Sequence, residues 1–124
     1  MDKKSLKEIE KDTDGLLTYE YLANNIENCI EEMDFIIGNF EKIDTSGQFV
    51  VSAARYLHAV DAENFKDAIE RLVALAINKD RERRYLGNLL ECLYGTDYTE
   101  RFDELNANDD NFRRIYKRIY PKGI

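Results

Sequence analysis

His58 is the only histidine in the chain, with Arg55 three residues before it and Asp61 three after. On a helix that spacing brings all three side chains towards one face, where a general acid–base pair or a strand-cleaving set could be assembled. One reading is therefore a small helical enzyme or nuclease using Arg55, His58 and Asp61. The same pattern equally suits a half-buried, hydrogen-bonded histidine. No Glu-x-x-His pair, HExxH, GxSxG, P-loop or GxGxxG motif accompanies it. One histidine cannot supply the two Glu-x-x-His pairs of a di-metal helix bundle. The expectation is a non-catalytic protein with no cofactor.

A second set with chemical potential is Glu10-x-Asp12-x-Asp14-Gly15, with Leu17 following, which matches the first half of a calcium-binding loop. The closing bidentate carboxylate belongs at position 21, and Tyr21 stands there, with Glu20 one residue early. Calcium needs that last ligand, so the segment reads as a turn and no metal is expected.

Two charged surfaces remain. Glu20, Glu27, Asp34 and Glu41 recur every seven residues, with Glu31 between two of them. On one continuous helix Glu27, Glu31 and Asp34 would stand roughly 5–6 Å apart along a stripe, near the spacing of phosphates on a strand. Such a stripe suits a partner protein with a basic surface, and it also suits a plain solvated face. Near the C-terminus, Arg113, Arg114, Lys117 and Arg118 alternate with Tyr116 and Tyr120. Bases meeting phosphates and tyrosines stacking on bases would make a nucleic-acid-binding helix. Cations near a helix C-terminus and an amphipathic Tyr/Ile face explain the same residues without any ligand.

The elements that must carry these residues are helical. The stretch DAENFKDAIERLVALAINKD, residues 61–80, places Phe65, Ile69, Leu72, Val73, Ala76 and Ile77 at helical spacing. Leu72 to Ile77 is apolar without interruption, which predicts a central helix covered on most sides, started by Asp61 as N-cap. A first long helix is predicted over residues 18–40, capped by Thr18, with Leu22, Ile26, Ile30, Met33, Ile37 and Phe40 as its buried stripe. Asp44 or Ser46 should cap a second helix over 48–60 that buries Phe49, Val50, Ala53, Leu57 and Val60. After a charged run, Tyr85 to Tyr94 returns to helical spacing, and a break near Asp80 favours two helices over one bent helix. A short helix over 96–105 and a last one over 110–120, stopped by Pro121, complete the chain. No internal repeat is evident. The expected architecture is an all-α, compact, single-domain bundle of five to six helices over residues 16–124, with a flexible or loosely docked start at 1–15.

Composition agrees with that class. The chain has 124 residues, one Pro and six Gly, enough for one ordinary core. No apolar run reaches 18 residues, so no membrane span is expected. The start lacks the apolar core of a secretory signal, and Cys29 and Cys92 stand alone, which suggests reduced thiols in a cytoplasmic protein. The net charge is −7, and residues 1–62 hold 6 Lys/Arg against 13 Asp/Glu while residues 63–124 hold 12 against 12. The acidic excess thus lies wholly in the first half, and its long-range field opposes general attraction to nucleic acid. Taken together, the residues suggest an acidic interaction module, regulator or inhibitor that binds a basic macromolecular surface, with nucleic acid as the alternative partner. Monomer and homodimer remain equally open.

Overall fold

A computed structural model describes residues 7–121 of the chain, and helices account for its order. After a helical turn ending at Ile9 come α1 (Leu16–Asn24), a 3-10 segment (Cys29–Glu32), α2 (Met33–Ile43), α3 (Gln48–Asp61), α4 (Lys66–Lys79), α5 (Gly87–Tyr94), α6 (Phe102–Asn108) and α7 (Asp110–Ile119). No strand occurs among the described residues, so the protein is all-α. These segments outnumber the expected five to six helices because the predicted first helix is interrupted. Asn25 N–H and its side-chain Nδ2 both donate to the Tyr21 carbonyl, closing α1 where a continuing helix would need the chain to run on. Asparagine competes for local backbone groups in this way, and Asn24, Asn25 and Asn28 cluster at the break. The break near Asp80 is present, so α4 and α5 are separate helices.

The organising element is a corner used three times. Asp12, Asp44 and Asp80 are all buried, at 5%, 1% and 2% exposure. The main-chain N–H of Asp44 closes α2 onto Phe40, and that of Asp80 closes α4 onto Ala76. The carboxylate of the same residue then caps the helix that follows. Asp44 accepts the N–H groups of Gly47 (3.1 Å), Phe49 (2.9 Å) and Val50 (2.8 Å). Asp80 accepts those of Arg84 (3.0 Å), Tyr85 (2.7 Å) and Leu86 (2.8 Å). Asp12 accepts from Gly15 (3.1 Å), the Thr18 N–H (2.8 Å) and the Thr18 hydroxyl (2.7 Å). Each carboxylate therefore reaches the amide six residues on and satisfies donors that a helix start leaves open. The backbone must turn back on itself to allow this, and the residue three after each aspartate has positive φ: Gly15 (113°), Gly47 (83°) and Arg83 (59°).

These corners stack helix pairs into an array. Within pairs, α1 packs on α2, α3 on α4 and α5 on α7. Between pairs, α1, α3 and α5 form one layer, and α2, α4 and α7 the other. α6 lies outside this pattern, packed on α7, where Phe102 meets Tyr116 at 4.7 Å and Phe112 at 6.1 Å between ring centroids. The corners also touch one another. Gly15 backs onto the Phe49 ring, and Gly47 onto Lys79 and Asp80. Asn39 donates to the Ile9 carbonyl (2.9 Å) and the Thr18 hydroxyl (2.7 Å), and Lys79 Nζ to the Glu41 carbonyl (2.6 Å). The internal repeat is thus real, with period 32 then 36 residues between aspartates, and it corrects the expectation of none. Helix-pair units of this length cannot bury their apolar faces alone, and stacking them makes one continuous core.

The core confirms the central helix and shifts some of its neighbours. Ala68, Ile69, Leu72, Val73, Ala76 and Ile77 of α4 are buried. Asp61 does not start that helix: it ends α3, and its carboxylate holds the turn at 62–65 through Asn64. Thr18 lies inside α1, buried, and serves as a donor to Asp12. Leu22, Cys29, Met33, Ile36, Ile37 and Phe40 are buried as a stripe, whereas Ile30 in the 3-10 segment is 50% exposed and Val60 at the end of α3 is 47% exposed. At the start, residues 1–6 lie outside the described residues, while Ile9 and Asp12 are packed into the first unit. Cys29 and Cys92 are both free, Cys29 buried and Cys92 half-buried, and burial raises the Cys29 thiol above its ordinary pKa. No described helix is long and apolar enough to cross a membrane.

Candidate functional site

Of Arg55, His58 and Asp61, all on α3, only His58 reaches the cleft at the end of that helix. His58 is half-buried beside a cleft of about 430 Å³ between the C-terminal end of α3, α4 and the α6–α7 junction. Lys66, Glu70, Tyr94 and Asp109 also line it, and neither Arg55 nor Asp61 does. Asp61 is committed to Asn64, accepting its N–H (3.1 Å) and side-chain Nδ2 (2.7 Å), and these bonds lower its pKa. Asp109 is likewise engaged, capping α7 at Phe112 N–H (2.9 Å) and accepting from the Tyr94 hydroxyl (3.2 Å). Burial, then the Asp109 charge, pushes the Tyr94 phenol well above its ordinary range. A catalytic histidine needs a third group to orient its ring. Here Asp61 and Asp109 already serve backbone amides, a side-chain amide and a phenol, while Glu70 stands exposed at the cleft.

The half-loop Glu10 to Gly15 is the first capping corner. Asp12 has both oxygens on N–H and hydroxyl donors, and the Asp14 carboxylate accepts the Leu16 N–H at 2.9 Å. Burial alone would raise the Asp12 pKa, but the Thr18 hydroxyl and the Thr18, Gly15 and Asp14 amides together hold it below the usual value. Asp44 goes the other way: burial dominates and raises it, against the Val50, Gly47 and Phe49 amides and the Lys79 charge.

The acidic residues do not share one helix. Glu20 lies on α1, Glu27 in the turn at 25–28, Glu31 in the 3-10 segment, and Asp34 and Glu41 on α2. The even strand-like spacing expected of a single helix is therefore lost. All five remain exposed, and Asp34 pairs with Arg71 at 2.8 Å. The same half exposes Leu16 (44%), Leu17 (49%), Ile30 and Phe35 (36%), with Val60 the large apolar side chains most open to water among the described residues. Asp34 and Phe35 share a shallow depression with Glu10, Gly38, Asn39 and Lys42.

The C-terminal helix is divided between packing and surface. Tyr116, expected to stack on bases, is 5% exposed and sits against Phe102, Phe112 and Tyr120. Tyr120 is half-buried, its hydroxyl 3.0 Å from that of Tyr98. Arg113 is spent on Asp110 (2.9 Å) and the Asn106 carbonyl (2.8 Å). No family model, no curated protein and no solved structure matches this chain. The remaining bases of α7 meet others from far away in sequence. Arg114 donates to Asn78 Oδ1 (3.3 Å), Arg118 to the Asp80 carbonyl (3.5 Å), and Arg83 to the Arg118 carbonyl (3.2 Å). Arg81, Arg83, Lys117 and Arg118 then line one open depression with Asn78 and Pro121. Sequence reasoning passed over Arg81 and Arg83 as a charged run. Their signal is the recurrence of the corner, Asp12-x-x-Gly15 and Asp44-x-x-Gly47, with Arg83 at the third glycine position.

Proposed function

We propose that this chain is a non-catalytic protein-interaction module, a regulator or inhibitor that recognises a basic, partly apolar surface of a partner protein through its first half. The observation that carries this reading is the coincidence of two features in that half. It holds the whole acidic excess, and it also exposes Leu16, Leu17, Ile30, Phe35 and Val60. Exposed large apolar side chains in a half of net negative charge are compatible with a surface that binds another macromolecule. The stacked helix pairs add support, since such arrays present extended binding faces. With α1, the 3-10 segment and α2 taken as one interrupted element, a compact bundle of five to six helices is the finer reading of this all-α fold. A cytoplasmic setting fits the two unpaired cysteines.

The test begins with capture of partners from the native host, followed by binding measurements on three variants. Replacing Glu27, Glu31 and Asp34 by Gln, Gln and Asn is expected to weaken binding mainly through a slower on-rate, and added salt should mimic it. Phe35→Ala should instead speed dissociation. Arg114→Glu with Lys117→Glu should leave the affinity intact. Wild-type affinity in the Glu27/Glu31/Asp34 variant would defeat the proposal.

A further inference from the structure

The three corners are copies of one device, so their differences are informative. The device needs a residue of positive φ three positions after its aspartate, and two copies use glycine there. The third uses Arg83, at φ 59°, although a side chain is disfavoured in that region and glycine is not. A strained backbone calls for something the side chain supplies. The Arg83 guanidinium donates to the last turn of α7 at Arg118, and Arg118 donates back to Asp80. This crossed pair fixes two guanidinium groups on the rim of the depression, with Arg81 and Lys117 beside them. None of Arg81, Arg83, Arg114, Lys117 and Arg118 has an ion-pair partner among the described residues. The ion pairs of the described residues use other side chains, Glu82 and Arg84 of the same turn among them. An adjoining depression is lined by Arg114, Lys117 and Arg118 with Ile77, so the positive surface is elongated and Lys117 and Arg118 serve both halves.

We infer that these two adjoining depressions, between the Asp80 corner and the end of α7, form a binding site for a ligand carrying at least two linked phosphate groups. Five cations on two elements, two of them held by backbone carbonyls, match the charge and the forked oxygens of a di- or triphosphate. Linked phosphates are preferred to a single one because the cations line two adjoining depressions and one phosphate would leave several of them unmatched. A long nucleic-acid strand fits less well. The acidic half of the molecule repels an extended polyanion, and the tyrosine that would stack on bases is buried. This site is separate from the acidic half and does not depend on the partner proposed for it.

Calorimetric titration of the full chain with tripolyphosphate, in phosphate-free buffer at low ionic strength, tests it. Saturable binding of one equivalent is expected, with inorganic phosphate at least about tenfold weaker. Arg83→Gly and Lys117→Gln should each lower affinity by about tenfold to a hundredfold, the range set by one charge-assisted hydrogen bond. Lys11→Gln, an exposed base at the far end of the array, should not. Arg83→Gly should also melt no lower than wild type, because glycine relieves the corner. Absence of saturable binding, or equal weakening by Lys11→Gln, overturns the inference. So does a lower melting point of Arg83→Gly with unchanged affinity, which would make Arg83 a packing residue. Tighter binding of a single-stranded oligonucleotide than of tripolyphosphate would overturn it in favour of a strand.

Discussion

Replacing Asp44 by alanine should destabilise the protein more than any exposed substitution, because one carboxylate holds three amides at the middle corner. The bonds from Gly47 and Val50 are buried, and that from Phe49 is partly so. A buried amide left without an acceptor costs about 1–3 kcal/mol, and a cap that water can replace costs about 0.5–2 kcal/mol. Two buried amides and one replaceable cap bond then give a gross loss of roughly 2.5–8 kcal/mol. Removing the buried charge itself returns part of this, since burial is the dominant influence on the Asp44 pKa. A net loss of about 2–4 kcal/mol follows. With an unfolding entropy of about 2.1 cal/mol/K per residue, the chain loses about 4 °C of midpoint per kcal/mol, or about 8–15 °C in all. Thermal denaturation by circular dichroism reads this directly. Thr45→Ala, at an exposed position of the same corner, is the control and should stay within about 2 °C. Hydrogen exchange supplies a local check, with the Val50 amide losing protection in the variant. A midpoint shift no larger than that of Thr45→Ala, or a Val50 amide still protected, would refute the view that the carboxylate holds the corner.

Acid sensitivity should separate the corners by sign. Asp12 is held below the ordinary carboxylate value of about 3.9, so its contribution is full above that value and is lost as pH falls through the lower folded one. Asp44 is raised, so its contribution runs oppositely, declining as pH rises from about 3.9 through the higher folded value. Urea midpoints between pH 6 and pH 2 should therefore fall less steeply with acid in Asp12→Asn and more steeply in Asp44→Asn; parallel slopes would show the shifts have another origin. Leu72, fully buried at the centre of α4, should cost about 2–5 kcal/mol when truncated to alanine, against little change for exposed Lys66→Ala in the same melt. Gly15→Ala should be worse than Gly47→Ala. Both have positive φ, but the new Cβ at Gly15 would lie 2.9 Å from Phe49 Cδ2, whereas at Gly47 its nearest contacts are at 3.4 Å. Equal melting points for the two would mean the Phe49 ring yields without cost.

The all-α class, the buried face of α4 and a cap at Asp44 or Ser46 were legible in the residues alone. Each rests on a local signal: apolar spacing of 3.6, an aspartate before a helix, a proline after one. The interruption of the first helix was also written there, in Asn24, Asn25 and Asn28, but its strong apolar periodicity outweighed those residues until the Tyr21 carbonyl was found taken. Two of the three corners were visible as Asp-x-x-Gly segments. Arg83 hid the third, because a positive φ at a non-glycine residue is decided by the packing around it and not by its own preference. Everything that depends on which surfaces meet was settled only in three dimensions. Tyr116 reads as a free aromatic until Phe102 and Phe112 close over it. Arg81 and Arg83 are ordinary surface charges until α7 packs against α4 and α5 and brings Lys117 and Arg118 beside them. Periodicity fixes which face of a helix is apolar, but the partner of that face, and so the neighbours of every charge along its edges, depends on how the corners stack the pairs.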